Sequence, residues 1–550
     1  MLSGDKDSSS LIMNKHDYNE KVWKLIQDGV DTGKYELTED STHRDLHNFQ
    51  QFLYRNFQKH EHYEKMRPIS NQPARFFATA KTHKFKSFDD ITLEELKLRP
   101  IIDQTGTHTQ QAAKIVSKYL KPLAKNKYVI NNTLKFPELL KGSPINEDEQ
   151  DVSYDVESLF TSIPVSETID FILSEIYDRK VIKPFCKKRL HFKRLLERLT
   201  SECKFSVDDV LIRQKDGCPM GGSLSVDFAD IFMNKLERDV VIPRDPTLYL
   251  RYVDDTFNRR KKNVPDDLFN SLNNYHPNIK YTVEENPKHF LDTAIIYKDG
   301  EIQTNVHVKD NKFPVFWASK VPKRYKRNAI NGELHRASKI SSNFNEEIRK
   351  IHQKFKNVGY PAKFIDSVIR DFQKVPNQEN DDIIPSWLFD ERKDFSVKLP
   401  FCLKNEELSK TFLRKLDEFT NEKYRFKIIW NTRNIRSLFP LKDRVEHVSC
   451  VVYEGTCSCD EVYVGETDRL VSIRWKEHDN PSTKHSQNSD PAKHLLANPT
   501  HRFSWKILTS APRNYHRRKI LENYYIAHRN PKINVQKTPR VLFLFRNGIT

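Results

Sequence analysis

Tyr252-Val-Asp-Asp255 lies between an apolar run, Leu248-Tyr-Leu250, and Thr256-Phe257. β-Formers on both sides predict a hairpin with Asp254 and Asp255 at its tip. Carboxylates that close repel unless a cation sits between them. Alone, the pair is weak evidence, because Asp is a common turn residue. Working outward, Val152-Ser-Tyr-Asp-Val-Glu-Ser-Leu-Phe160 is a mostly apolar or β-favouring segment that carries a third carboxylate, Asp155. Two cations roughly 3.5–4 Å apart, clamped by such carboxylates, activate an attacking 3′-hydroxyl and stabilise departing pyrophosphate. Asp155, Asp254 and Asp255 are therefore the expected catalytic set, with two Mg²⁺.

Between these elements runs Gly217-Cys-Pro-Met-Gly-Gly-Ser-Leu-Ser225, followed by a helical pattern through Ala229, Phe232, Met233 and Leu236. A glycine turn that opens a helix lets backbone approach a ligand closely, which suits a template base and incoming nucleotide against Met220 and Gly221. An ordinary helix N-terminus is the plainer reading.

In this order, Leu98-Arg-Pro-Ile101, Tyr154-Asp-Val-Glu-Ser-Leu-Phe-Thr-Ser-Ile-Pro164, Gly217 to Ser225, Tyr252 to Asp255 and Phe290-Leu-Asp292 resemble the reverse transcriptase of Penelope-like retroelements, relatives of telomerase reverse transcriptase. The resemblance extends over nearly the whole chain. It implies an α+β multidomain protein with a right-hand polymerase of fingers, palm and helical thumb. It also implies that Lys84 (in Lys81-Thr-His-Lys84) and Arg99 hold a triphosphate, and that Phe160 lies under the sugar and favours dNTPs. Ala80 and Thr82 depart from the family's Pro-Lys-Ile-His-Lys motif. The large N-terminal extension of typical members is missing, which reads as a compact or truncated form.

The chain has 550 residues, 37% of them apolar, enough for about three domains. Its 92 basic and 75 acidic residues give a net +17. That excess favours a polyanion partner through counterion release. No apolar run approaches the ~20 residues that span a bilayer, and no secretory leader is evident. No membrane role is expected. The expected partners are template RNA, target and primer DNA, and dNTPs; the expected location is the nucleus.

The expected organisation is an N-terminal helical segment (1–70), fingers and palm (71–310), a helical thumb and linker (311–440) and a nuclease domain (441–550). In the thumb, Lys320, Lys323, Arg324, Lys326 and Arg327 are candidate phosphate contacts, a solvated face or a nuclear-localisation run. Arg259-Arg-Lys-Lys262 is open to the same three readings.

From about 445 the pattern changes to two short β-like segments, Val451-Val-Tyr453 and Tyr463-Val-Gly465, followed by a helix with Arg469, Arg474 and His478, then Glu522 and Asn534. This resembles a GIY-YIG endonuclease, a small α/β domain found in many Penelope-like elements, although Val451 stands where the family has Gly. The resemblance implies that Tyr453 or Tyr463 activates water, Arg474 stabilises the transition state, and Glu522 binds one Mg²⁺. His478, four residues after Arg474, shares its helix face and is a candidate for proton transfer. Cys457, Cys459, His494 and His501 meet the needs of a structural Zn²⁺, with Cys450 and His485 as rivals.

The composite expectation is a retrotransposon protein whose endonuclease nicks target DNA to supply a primer and whose polymerase copies element RNA into cDNA. Its rivals are a telomerase-like polymerase with a decayed nuclease, and a non-catalytic, host-adopted nucleic-acid-binding protein.

Overall fold

The computed structural model describes residues 2–5, 10–39, 41–69, 72–82, 85, 90–208, 210–298, 301–308, 314–374, 393–420, 424–431, 449–480, 489–511 and 515–535. The expected hairpin forms. Strands Tyr249–Tyr252 and Asp255–Lys261 pair antiparallel, with Asp255 opposite Tyr252. A four-stranded antiparallel sheet is built around them, in the order Tyr281–Glu285, Glu149–Val156, Asp255–Lys261, Tyr249–Tyr252.

Alternation decides which face of this sheet is buried. Val152, Tyr154 and Val156 point into a core with Ile169 and Ile172 of the Val165–Leu173 helix, Leu195 and Leu199 of Arg189–Ser201, and Phe228, Ile231 and Phe232 of Ser225–Leu236. Asp155, one residue out of phase, is exposed on the other face. The Thr42–Phe57 helix adds Phe49, Leu53 and Phe57 to the same core, so the N-terminal helices are not a separate layer.

A five-stranded sheet packs beside it, in the order Tyr35–Thr38, Val210–Gln214, Lys204–Val207, Ala74–Ala80, Leu98–Asp103. Its core is Phe76, Ala78, Phe205 and Ile212. Beyond the smaller sheet of His289–Phe290, Thr293–Lys298 and Glu301–Val306, three helices, Lys323–Ile340, Phe344–Asn357 and Ala362–Lys374, close around Ile330, Leu334, Ile351, Phe355, Ile365 and Val368.

The expectation of a wholly helical stretch through 440 is corrected. Lys393–Pro400 and Tyr424–Asn431 are parallel strands joined through the Leu403–Phe419 helix. Phe395, Val397 and Leu399, facing Phe426, Ile428 and Trp430, carry a period-2 pattern that suits strands.

The C-terminal sheet has the order Val462–Leu470, Ser449–Cys457, Phe503–Ser510, with helices Val471–Asp479, Asp490–Ala497 and Tyr515–Arg529. Among the described residues no helix is long and apolar enough to cross a membrane.

Candidate functional site

Asp155 stands directly opposite Asp255 in the pairing of Glu149–Val156 with Asp255–Lys261. Side chains so opposed share one face, with Cβ atoms about 4.5–5.5 Å apart. The Asp254 carbonyl accepts a hydrogen bond from Val156 N at 3.3 Å, which draws the turn toward the same strand. Asp155 and Asp254 line one cavity of about 490 Å³ together with Lys81, Arg99, Phe160 and Met220. The two sheets thus bring together groups that lie up to 173 residues apart along the chain.

The turn itself is strained. Val253 has φ +58°, a left-handed conformation that β-branched residues rarely adopt, while Asp254 does not. Arg251, which no motif indicated, anchors it from below. Its side chain is fully buried, with Nη1 on Asp230 at 2.9 Å and on the Val253 carbonyl at 3.2 Å, Nη2 on Asn234 at 3.1 Å and Nε on Glu237 at 2.5 Å. The signal that could have found it is an arginine ending the apolar run Leu248-Tyr-Leu250, since a charge on a buried strand requires partners.

The glycine segment is held by protein rather than left open to ligand, which corrects the sequence reading in part. A Cβ on Gly217 (φ +74°) would lie 2.6 Å from the Thr161 carbonyl oxygen, and one on Gly221 (φ +112°) 2.8 Å from that of Ile102. Cys218 N donates to the Phe160 carbonyl at 2.7 Å and Ile102 N to that of Met220 at 2.8 Å. Gly217 to Gly221 therefore clamps the Phe160 turn to the Arg99 strand. Phe160 is only partly buried and forms cavity wall.

Arg99 lines the cavity as expected, yet its Nε lies 3.2 Å from Asp5, so a phosphate would have to displace that carboxylate. Lys84 lies outside the described residues; Lys81 of the same motif lines the cavity. Two of the other basic candidates are corrected. Arg259 is buried against Asp151 at 2.7 Å. Lys326 is buried and donates to the Trp317 carbonyl. Arg327 stays partly exposed, in a surface pair with Asp371 at 2.7 Å.

In the C-terminal domain, antiparallel register puts Tyr453 opposite Gly465 and Gly455 opposite Tyr463. Gly465 is required there: a Cβ would meet the Tyr453 hydroxyl at 2.7 Å. Tyr453 is fully buried, and its hydroxyl shares a 2.8 Å hydrogen bond with His478 Nε2, whose Nδ1 contacts Ser489 Oγ. Burial pushes the Tyr453 phenol well above its ordinary range; Tyr463 adds to the rise and Arg474 opposes it. Burial likewise pushes Tyr463 up to about 12. A phenolate is thus disfavoured at neutral pH, and His478 is positioned to take the Tyr453 proton.

Arg474 interacts with Tyr453 and with Glu477 at 2.8 Å. Burial raises the Glu522 carboxyl, Lys519 at 2.9 Å pulls it back, and Glu466 pushes it up again. Tyr453, Tyr463, Arg474, His478 and Glu522 therefore form one electrostatically linked group. Asn534 acts as a clasp: its side chain accepts from Val464 N at 2.8 Å and donates to Val464 O at 2.7 Å, mimicking a further strand.

Cys457, Cys459, His494 and His501 offer ligand atoms that all lie within 4.8 Å of one another, the only such group of metal-type donors found among the described residues. Cys457 Sγ is 3.3 Å from His494 Nε2 and 3.5 Å from His501 Nδ1; His494 Nε2 is 3.5 Å from Cys459 Sγ and 3.1 Å from His501 Nδ1. Tetrahedral edges around Zn²⁺ with ordinary Zn–S and Zn–N bonds run about 3.3–3.8 Å, so the donor set fits. Of the rivals, Cys450 is directed elsewhere, toward the Asp468 carbonyl at 3.7 Å, and His485 lies outside the described residues.

Residues 316–370, the three-helix unit, match a model of the animal helix-turn-helix domain. No curated protein sequence matches the chain. Solved structures of similar shape include apo telomerase from Candida tropicalis truncated from its C-terminal domain (12% identity, 56% of this chain, 63% of that one, TM-score 0.35). Others are Candida albicans telomerase with a fragment of telomeric RNA (9%, 68% and 76%, 0.38) and a Sicinivirus RNA-dependent RNA polymerase (11%, 68% and 79%, 0.34). The chain thus spans less than two thirds of the first of these.

Proposed function

We propose that this chain is an RNA-directed DNA polymerase of a retroelement, joined to a GIY-YIG-like endonuclease, and that it acts on chromosomal DNA in the nucleus. The observation that carries the reading is the register that sets Asp155 against Asp255, with Asp254 on the same cavity as Lys81 and Arg99. Two Mg²⁺ bound there would supply an activated 3′-hydroxyl and charge neutralisation of the leaving pyrophosphate.

Around that chemistry the protein orients its substrates. Arg99, once released from Asp5, and Lys81 offer fixed cations to a triphosphate. Phe160 walls the cavity within reach of a sugar bound beside Asp155 and would disfavour a 2′-hydroxyl. Met220 walls the same cavity where the base pair would lie, while Gly221 packs against Ile102 behind it. The three-helix unit supplies Lys320, Lys323 and Arg324 to duplex phosphates, consistent with the helix-turn-helix match.

In the nuclease, His478 accepts the Tyr453 proton as Tyr453 activates water. Arg474 offsets charge on the scissile phosphate, and Glu522 holds one Mg²⁺. Cys457, Cys459, His494 and His501 would hold a structural Zn²⁺, tying the first hairpin to the Asp490–Ala497 helix and the segment after it. The convergence of Tyr453, His478, Arg474 and Glu522 favours a working nuclease over a decayed one.

The decisive test is Mg²⁺-dependent dNTP incorporation on a primed RNA template, wild type against Asp254→Asn. A loss of roughly 10³-fold is expected; undiminished synthesis by the variant removes the assignment. Plasmid nicking by Glu522→Ala tests the second site in the same way, with loss expected and unchanged nicking refuting it.

A further inference from the structure

Away from the aspartates, a cavity of about 810 Å³ opens between the end of the Thr42–Phe57 helix and the loop that leads into the Arg189–Ser201 helix. It shares no lining residue with the aspartate cavity. Four lysines line it, Lys59, Lys183, Lys187 and Lys188, against a single acid, Glu61. All four are exposed, and none is in an ion pair with another described residue, whereas Glu61 lies 3.7 Å from His62.

The loop carrying three of these lysines is rigid. The Lys183 carbonyl accepts from Tyr119 Oη at 2.6 Å, that of Cys186 from Tyr177 Oη at 2.8 Å, and that of Lys188 from His191 N at 3.0 Å. His60 fixes the remaining wall. Its Nδ1 accepts from His62 N at 3.2 Å while Nε2 donates to the Phe185 carbonyl at 2.8 Å, so both ring nitrogens hold the ring in place. The ring also stacks on Phe185 at 4.5 Å, and Phe185 in turn on Phe192 at 5.1 Å. Phe57, Phe185 and Phe192 belong to the core that supports the Asp155 strand, which anchors the wall to the enzyme body.

A preorganised loop with several unpaired cations, flanked by imidazole and phenol rings, has the chemistry of a single-strand site: cations follow phosphates while flat groups face bases. We infer that this cavity binds a single-stranded segment of nucleic acid, such as template beyond the copied duplex. A double helix suits it less, because its lysines converge on a concavity rather than along an open face. The identity of the strand rests on the polymerase reading; the binding itself does not.

The test is fluorescence anisotropy of the full chain with a labelled oligouridylate and oligothymidylate, at several salt concentrations. Lys183→Ala/Lys187→Ala/Lys188→Ala is expected to weaken binding about tenfold or more. It should also make the log–log salt dependence shallower by about 2, for three lost single-strand phosphate contacts. Lys59→Ala, from the opposite wall, should lower the slope by a further increment of about 0.7.

A blunt-ended duplex should bind wild type and variant alike, and incorporation on a primer–template whose template strand overhangs by only one or two nucleotides, too short to reach the cavity, should be unchanged. Unchanged affinity and slope for both oligomers overturn the inference. So does equal weakening for the blunt duplex, or retention of anionic phospholipid vesicles at the cavity in place of the oligomers. If the wild type incorporates no dNTP at all, the polymerase reading fails while the binding result stands on its own.

Discussion

The aspartate site and the C-terminal site hold their reactive groups in opposite ways. Asp155 is exposed and Asp254 half-buried on the wall of one cavity, with Asp255 half-buried beside them on the paired strand and the strained turn tied down from beneath by Arg251. Tyr453 and His478 are fully buried, each locked by a named partner, and the four Cys and His donors behind them already stand at metal-binding separations. On the proposed reading the difference follows from what each site must accept. Triphosphate, metal ions and two strands would need an open face whose charges are met by the incoming ligands. The small C-terminal domain has little core of its own, and on the same reading it would fix its chemistry by packing and by a metal clasp.

The comparison can be broken most decisively at the clasp. Cys457→Ser should release zinc, measured by chelator-indicator titration, and abolish nicking through loss of a folding contribution on the order of 10 kcal/mol. Incorporation should survive, and its loss in parallel would show the two sites to be one folding unit. Arg251→Met probes the open site from below. It strands the buried Glu237 and the partly buried Asp230 carboxylate, so denaturant melting should show a loss of about 3–5 kcal/mol. Incorporation should fall in kcat with little change in KM for dNTP, and unaltered stability and kcat would refute its anchoring role.

A smaller effect sharpens the view of the closed site. Tyr453→Phe keeps the buried ring and removes the hydroxyl facing His478, so nicking should drop roughly 10²-fold with zinc content unchanged. Full activity would move water activation to Tyr463. The smallest is Val253→Gly. Relief of the left-handed strain and the added freedom of the unfolded chain oppose each other, leaving stability within about 1 kcal/mol of wild type. A larger loss would mean that the Val253 side chain contributes packing beyond its backbone.

Much of both sites is legible along the chain because it is local. The Asp254-Asp255 pair, the alternation around Asp155 and the Cys457/Cys459 step need only nearest-neighbour rules. Arg251 resists such reading, since Asp230, Asn234 and Glu237 become its partners only when the Ser225–Leu236 helix packs under the hairpin. The basic runs are misleading for the same reason. Arg259 and Lys326 look like phosphate contacts in sequence and turn out to satisfy buried acceptors. Gly217 and Gly221 look like ligand contacts, while the structure sets them against Thr161 and Ile102.

The sequence by itself determined which chemistry is at hand: three carboxylates on β-forming segments, two tyrosines ten residues apart, four zinc-type donors and a surplus of positive charge. Side-chain type and the two-residue strand period are properties of the chain, so they need no fold to be read. Only the tertiary structure decided which charges meet a partner and which remain for a ligand. Whether a lysine faces a carbonyl, a carboxylate or open water depends on residues tens to hundreds of positions away, and burial makes that choice expensive to leave unsatisfied.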